Sequence, residues 1–208
     1  LKSKKTRLVE GDIRDINLLD TLFKGIDYCF HMAALRITQC AEDPREAKEV
    51  MLNGTYNLVE ACIRHQVKKT ILASSASIYG QASYFPTPEE HPPYNNYTFY
   101  GAAKMANELI FRSFYEMYGF QYNALRFFNI YGPRMDTYGK YTEVLIKWYK
   151  LIKEGKSPLI YGDGKQTMDF INVKDVAKAC VMSLKADVSD EVFNIASGIE
   201  ISLEDLLV

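Results

Sequence analysis

The chain lacks the positive charge that nucleic acid would demand. Lys plus Arg number 25 against 26 Asp plus Glu in 208 residues, a net charge of −1, whereas neutralising a phosphate backbone requires a basic excess. It also lacks an apolar run of membrane-spanning length, and no signal-peptide core follows Leu1-Lys2-Ser3-Lys4-Lys5. Cysteine is sparse. Cys29, Cys40, Cys62 and Cys180 are scattered without a C-x-x-C pair, which argues against a disulfide frame or a zinc site and for reduced thiols in a cytoplasmic protein. Internal repeats and low-complexity tracts are absent. What remains is an ordinary globular balance, 48% apolar and 25% charged, in a chain long enough to bury a sizeable core. Only the 15 tyrosines and 11 phenylalanines stand out.

Strand and helix signals alternate. Leu8-Val9-Glu10 reads as a short strand, and Asp15 caps a helix carrying Leu18, Leu19, Leu22 and Phe23 that closes at Gly25. Residues 28–33 read as a strand. The spacing predicts a helix over 43–65, opened by Asp43-Pro44 and Glu46, with Gly54 letting it lie close to a sheet. Residues 69–74 form the next strand, 80–96 a Pro-rich loop, 97–118 a long helix ended by Gly119, and 122–127 another strand. Strands apolar on both faces and separated by amphipathic helices predict an α/β fold, a parallel sheet with helices on both faces. After Tyr131 the rhythm breaks into loops, a helix over 141–153, and short strands near 159–161 and 170–171. That segment reads as a smaller lobe over the sheet's C-terminal edge.

Ligands of such sheets bind outside the carboxyl ends of the strands. Gathered there are Gly11-Asp12-Ile13, His31-Met32-Ala33-Ala34, Ser74-Ser75-Ala76-Ser77 and Phe128-Asn129. Tyr100 and Lys104 stand four apart on a predicted helix, so phenol and ammonium can address one point. A nearby cation favours phenolate and makes tyrosine a usable base. Alone, each piece has a plain structural reading: such a pair arises by chance among many tyrosines, Ser75 can be a turn residue, and His31 reads as a structural histidine closing a strand. The combination, in order, is what points to a site.

These motifs together resemble the extended short-chain dehydrogenase/reductases, in the NAD-dependent branch of nucleotide-sugar epimerases and dehydratases. Gly11-Asp12-Ile13-Arg14-Asp15 is similar to the family's adenine-side loop, with Asp12 on the adenine amino group and Ile13 against the ring. His31-Met32-Ala33-Ala34 is similar to its H-x-A-[AG] strand end beside the cofactor, with Arg36 reaching toward it. Ser74 to Gly80 is similar to S-S-x-x-[VI]-Y-G, Tyr100 and Lys104 to Y-x-x-x-K, and Leu125 to Arg134 to L-R-x-x-N-x-[YF]-G-P. Residues 160–164 and 169–176 are similar to G-D-G and D-F-x-x-V-x-D-V. The resemblance implies a Rossmann-like fold divided into a partial dinucleotide-binding domain (1–130) and part of a small C-terminal substrate-binding lobe (131–208). Its first glycine-rich unit is missing, so the chain reads as an internal fragment. It implies NAD held by Asp12, Ile13, Met32, Ala33, Ala34, Arg36, Ser74, Tyr100, Lys104 and Phe128. Ser75, Tyr100 and Lys104 are then catalytic, and Ser75, Asn129, Arg134 and Tyr161 touch a nucleotide-sugar. A homodimer through helices 43–65 and 97–118 follows from the same resemblance.

Two departures are local. Met51 stands where the family often has Asn, and Met168 where it often has an Arg that contacts the diphosphate; Arg134 and Lys140 are the candidate replacements. Ala76 and Ser77 occupy the turn positions where dehydratases of the family carry an acid pair, and decarboxylases and epimerase/reductases carry Glu or Cys at Ser77. The resemblance therefore implies a 4-epimerase acting by reversible hydride transfer, with Lys104 lowering the Tyr100 pKa. A 4,6-dehydratase, a reductase and a catalytically inactive nucleotide-binding relative are the alternatives.

Overall fold

A computed structural model describes residues 5–137 and 143–207. In chain order its helices are α1 (Ile16–Leu22), α2 (Ile37–Glu42), α3 (Pro44–Lys48), α4 (Gly54–Arg64), α5 (Phe99–Tyr118), α6 (Val144–Lys153) and α7 (Val173–Lys185). The strands are β1 (Tyr28–His31), β2 (Lys69–Ser75), β3 (Tyr122–Phe127), β4 (Asn129–Tyr131), β5 (Thr167–Met168), β6 (Phe170–Asn172), β7 (Glu191–Ile195) and β8 (Ile201–Ser202). Four strands pair in parallel in the order β1-β2-β3-β7, and β4-β6 and β5-β8 form two small sheets beside them. Helices cover both faces of a Rossmann-like sheet, as expected.

Strand β2 shows why both faces are covered: all seven of its residues are buried, which alternation permits only if each face has its own core. Leu72 points into the layer under α1, α4 and α5 with Val59, Cys62, Phe111 and Ala124. Ile71 points the other way, to Leu125, Val176 and Cys180 under α7.

Local signals act as the sequence predicts at several ends. The Asp15 carboxylate accepts from Leu18 N at 3.0 Å to cap α1, Asp43 caps α3, and Gly119 takes the left-handed conformation (φ 68°) that ends α5. Elsewhere the structure differs. Leu8-Val9-Glu10 pairs with no strand among the described residues, and Leu8 is exposed; an extended segment without a ladder partner is not a strand. The helix expected over 43–65 is broken by a π-turn at Glu49–Asn53. Gly54 serves a loop rather than the sheet, since a Cβ there would come within 2.6 Å of the Ile13 side chain. Residues 159–161 form no strand. The start of the helix expected over 141–153 lies partly outside the described residues, and α6 is described from Val144.

Lys69 ties the two layers. Its buried ammonium donates to the carbonyls of Ser183, Ala186 and Val188 at 2.9, 2.9 and 2.6 Å, closing the C-terminal end of α7. Lys69→Met would strip three carbonyls of this donor and should cost about 1–3 kcal/mol, read as a lowered urea midpoint with an unchanged slope. Among the described residues no helix is long and apolar enough to cross a membrane.

Candidate active site

The first turn of α5 is built against the turn that follows β2. Thr98 caps the helix through Gly101 N at 3.1 Å. The Asn96 amide donates to Ser77 O at 2.9 Å while its oxygen accepts from Thr98 N at 2.9 Å. Gly101 makes the approach possible, because a Cβ there would lie 2.5 Å from Ser77 O. This seam brings Tyr100 and Ser75 to one cavity wall, close enough for the Ser75 hydroxyl to act on the phenol. Ser75 Oγ also accepts from Ser77 N at 3.1 Å.

Tyr100, Lys104 and Ser75 share the wall of one cavity of about 440 Å³ at the carboxyl ends of β1, β2 and β3. Met32, Ala34, Ser74, Phe128 and Asn129 line it too. Lys104 is 4% exposed, and its ammonium donates to Ala73 O at 2.6 Å while lying 5.6 Å from the centre of the Tyr100 ring. Burial brings its pKa down to about 8, partly offset by Cys40 and Glu108. The phenol departs from expectation. Burial raises the Tyr100 pKa and the Ser75 hydrogen bond only offsets it, because the ammonium is bonded to a carbonyl and faces the ring.

Other expected site residues lie apart. Met32 and Ala34 reach the cavity but Ala33, between them, does not line it. Asp12 is clasped by Arg14 at 2.6–3.0 Å, which holds its carboxyl down at about 2, and Ile13 sits over Gly54. Arg36 lines a neighbouring hollow of about 720 Å³ with Tyr161, Trp148 and Leu203, and pairs with Asp136 at 3.1 Å. Arg134 is outside the cavity wall, in a loop where its φ is 73° and Met135 takes the wall position. The Asn129 amide nitrogen is engaged by Asp169 O at 2.8 Å. Met168 is on the cavity wall, whereas Met51 is 1% exposed and packs in the core with Cys40, Ala47 and Ala103. Lys140 lies outside the described residues.

A buried ion pair escaped the sequence reading. Glu108 receives Arg126 Nε at 3.0 Å and Nη2 at 2.7 Å, and the Ser74 hydroxyl donates to the same carboxylate. Arg126 also donates to Tyr79 OH at 2.9 Å and Glu89 O at 2.7 Å. The signal was present: Glu108 continues the four-residue spacing of Tyr100 and Lys104 along one helix face.

Comparison with known proteins places this geometry. A family model described as "NAD dependent epimerase/dehydratase family" matches residues 1–196. A UDP-glucose 4-epimerase of Mycolicibacterium smegmatis is 32% identical over 208 residues, covering 98% of this chain and 66% of that protein. The solved structure of a UDP-N-acetylglucosamine 4-epimerase from Methanobrevibacter ruminantium, in complex with UDP-N-acetylmuramic acid, superposes with a TM-score of 0.91 at 35% identity, over 99% of this chain and 66% of that one. A UDP-glucose 4-epimerase from Thermotoga maritima, with UDP-glucose, gives 0.92 at 31% identity, over 98% and 67%. The chain thus spans slightly less than two thirds of the length of the curated relatives it matches.

Proposed function

The chain belongs to the NAD dependent epimerase/dehydratase family, and from that premise we propose that the protein containing it is a nucleotide-sugar 4-epimerase worked by Ser75, Tyr100 and Lys104. One observation carries this reading: the three converge on one cavity, and the adjoining turn, Ala76-Ser77, holds no carboxylate pair. Eliminating water would need separate groups to remove and deliver protons. Moving hydrogen reversibly at one carbinol carbon needs a single proton carrier.

The cavity suits NAD. A cation 4% exposed closes its floor, and the small side chains of Ala34, Ala73 and Ser74 leave the strand ends open to a flat ring. Met32, Ala34, Ser74, Lys104 and Phe128 would hold the reactive end, and Asp12 and Ile13 the adenine end. Bound in its oxidised state, NAD would supply a hydride acceptor and a positive ring beside the phenol. Tyr100 takes the proton of the sugar 4-hydroxyl and returns it after the 4-keto sugar has turned over in the site. Ser75 holds the phenol oxygen through this cycle. Lys104, anchored on Ala73 O, sets a positive charge at the reactive end of the cavity, so turnover should decline as pH rises through about 8 and the ammonium is lost. Asn129 and Arg134 are assigned to the nucleotide-sugar, Tyr161 to its nucleotide end in the neighbouring hollow, and Arg36, on the same hollow, to the cofactor. The unit boundaries at 1–130 and 131–208 belong to the same proposal. So does a homodimer on α4 and α5, where Tyr56, Leu109 and Met117 are exposed.

The test is incubation of the full-length protein with UDP, GDP and dTDP sugars, followed by liquid chromatography with mass detection. A product of unchanged mass and altered retention supports the epimerase; one lighter by a water overturns it. Glu143, the cavity's one carboxylate among the described residues, favours a second reading as the acid of a dehydratase. In an epimerase Glu143→Gln should keep turnover within about 3-fold of the parent, and a collapse of turnover would favour the dehydratase.

A further inference from the structure

Two buried side-chain atoms among the described residues have no hydrogen-bond partner: His31 Nδ1 and Asn107 Oδ1. Both belong to residues at most 3% exposed, where an unpaired polar atom is costly and calls for an explanation. They are also neighbours of the same group. Lys104, Asn107 and Phe111 follow one face of α5 at spacings of three and four, and the His31 ring stacks on Phe111 with centroids 6.3 Å apart. On the sheet, His31 pairs with Leu72, one residue before the Ala73 carbonyl that receives the Lys104 ammonium.

The bonding around His31 fixes which nitrogen carries the proton. Thr55 donates its only hydroxyl hydrogen to Met51 O at 2.6 Å, so at the 2.9 Å contact His31 Nε2 must be the donor and Thr55 Oγ1 the acceptor. Nδ1 is then a bare lone pair. Burial and the Lys104 charge push the His31 pKa down to about 3, so the ring stays neutral. Asn107 Oδ1 is likewise only an acceptor. Two acceptors and one ammonium with hydrogens to spare match the valence of one water, which accepts once and donates twice.

We propose that His31, Asn107 and Lys104 bind one buried water that accepts from the Lys104 ammonium and donates to His31 Nδ1 and Asn107 Oδ1. The water's dipole, oriented by two fixed acceptors, favours the charged form of Lys104 and aims the ammonium. His31 and Asn107 are therefore positioning residues, acting through the water. The titratable groups facing Lys104 are His31 on β1, Cys40 on α2 and Tyr100 and Glu108 on α5, with Arg126 on β3 behind Glu108. The functional consequence rests on the assignment of Lys104 to catalysis; the water site itself does not.

Two measurements on the full-length protein separate these. The first is a crystal structure fine enough to show ordered water. One density peak within hydrogen-bond distance of all three atoms supports the site, and an Asn107 amide donating directly to His31 Nδ1 overturns it. The second is the pH–rate profile of His31→Phe/Asn107→Leu. Phenylalanine keeps the stack on Phe111 and leaves the Thr55–Met51 bond intact, so the thermal midpoint should equal or exceed the parent's. The alkaline limb should move down by on the order of one pH unit, because the ammonium has lost its solvent dipole. An unmoved limb with full activity overturns the positioning role. If instead Lys104→Met keeps full turnover, the catalytic assignment fails while the density still decides the water site.

Discussion

Tyr100→Phe in the full-length protein should lower turnover by about 10²–10⁴-fold, the contribution of a positioned acid–base group, while the KM for the sugar nucleotide changes far less. The expectation follows from what the substitution removes. The ring stays, with its place beside the Lys104 ammonium at 5.6 Å, and only the phenol oxygen near Ser75 is lost. Packing is therefore preserved, and a fall in turnover with an unchanged thermal midpoint reads the chemistry alone. Steady-state kinetics over a range of pH check it. Near-parental turnover would remove Tyr100 from the mechanism and, with it, the proposal that a phenol carries the proton.

The largest effect on stability should come from Glu108→Gln. Its carboxylate and the Arg126 guanidinium are both under a tenth exposed and bonded in two places, so removing one charge leaves the other buried without its counter-ion. Such a loss costs about 3–5 kcal/mol, whereas replacing both members by apolar groups costs much less. Glu108→Leu with Arg126→Met should accordingly recover most of the midpoint lost in the single variant, measured by urea or thermal melting of the full-length protein. A single variant as stable as the parent would show that the pair is solvated in solution. The same pair holds Ser74, next to Ser75, and through Tyr79 and Glu89 O it anchors the loop between β2 and α5. Turnover should therefore stay low in the double variant even where stability returns.

The helix ends were legible because a cap is a local event. Asp15, Asp43 and Gly119 act on backbone groups a few residues away. The alternation of buried strands and amphipathic helices was legible for the same reason, and with it the parallel sheet. Leu8-Val9-Glu10 looked equally strand-like, yet a strand exists only with a neighbour, which no run of three residues reveals. Residues 159–161 failed in the same way. Arg36 and Tyr161 carry the right chemistry for ligand contacts but line a separate hollow, a matter of how α6 and the loops pack.

The sequence by itself determined the fold class and the meeting of Tyr100 with Lys104, since helical spacing alone puts residues four apart on one face. Tertiary structure alone decided their electrostatics. The ammonium bonds Ala73 O, the phenol pKa is raised, and His31 is neutral with a free lone pair. Proton affinities are set by desolvation and by partners brought together from β1, β2 and α5, so they exist only once those elements have packed.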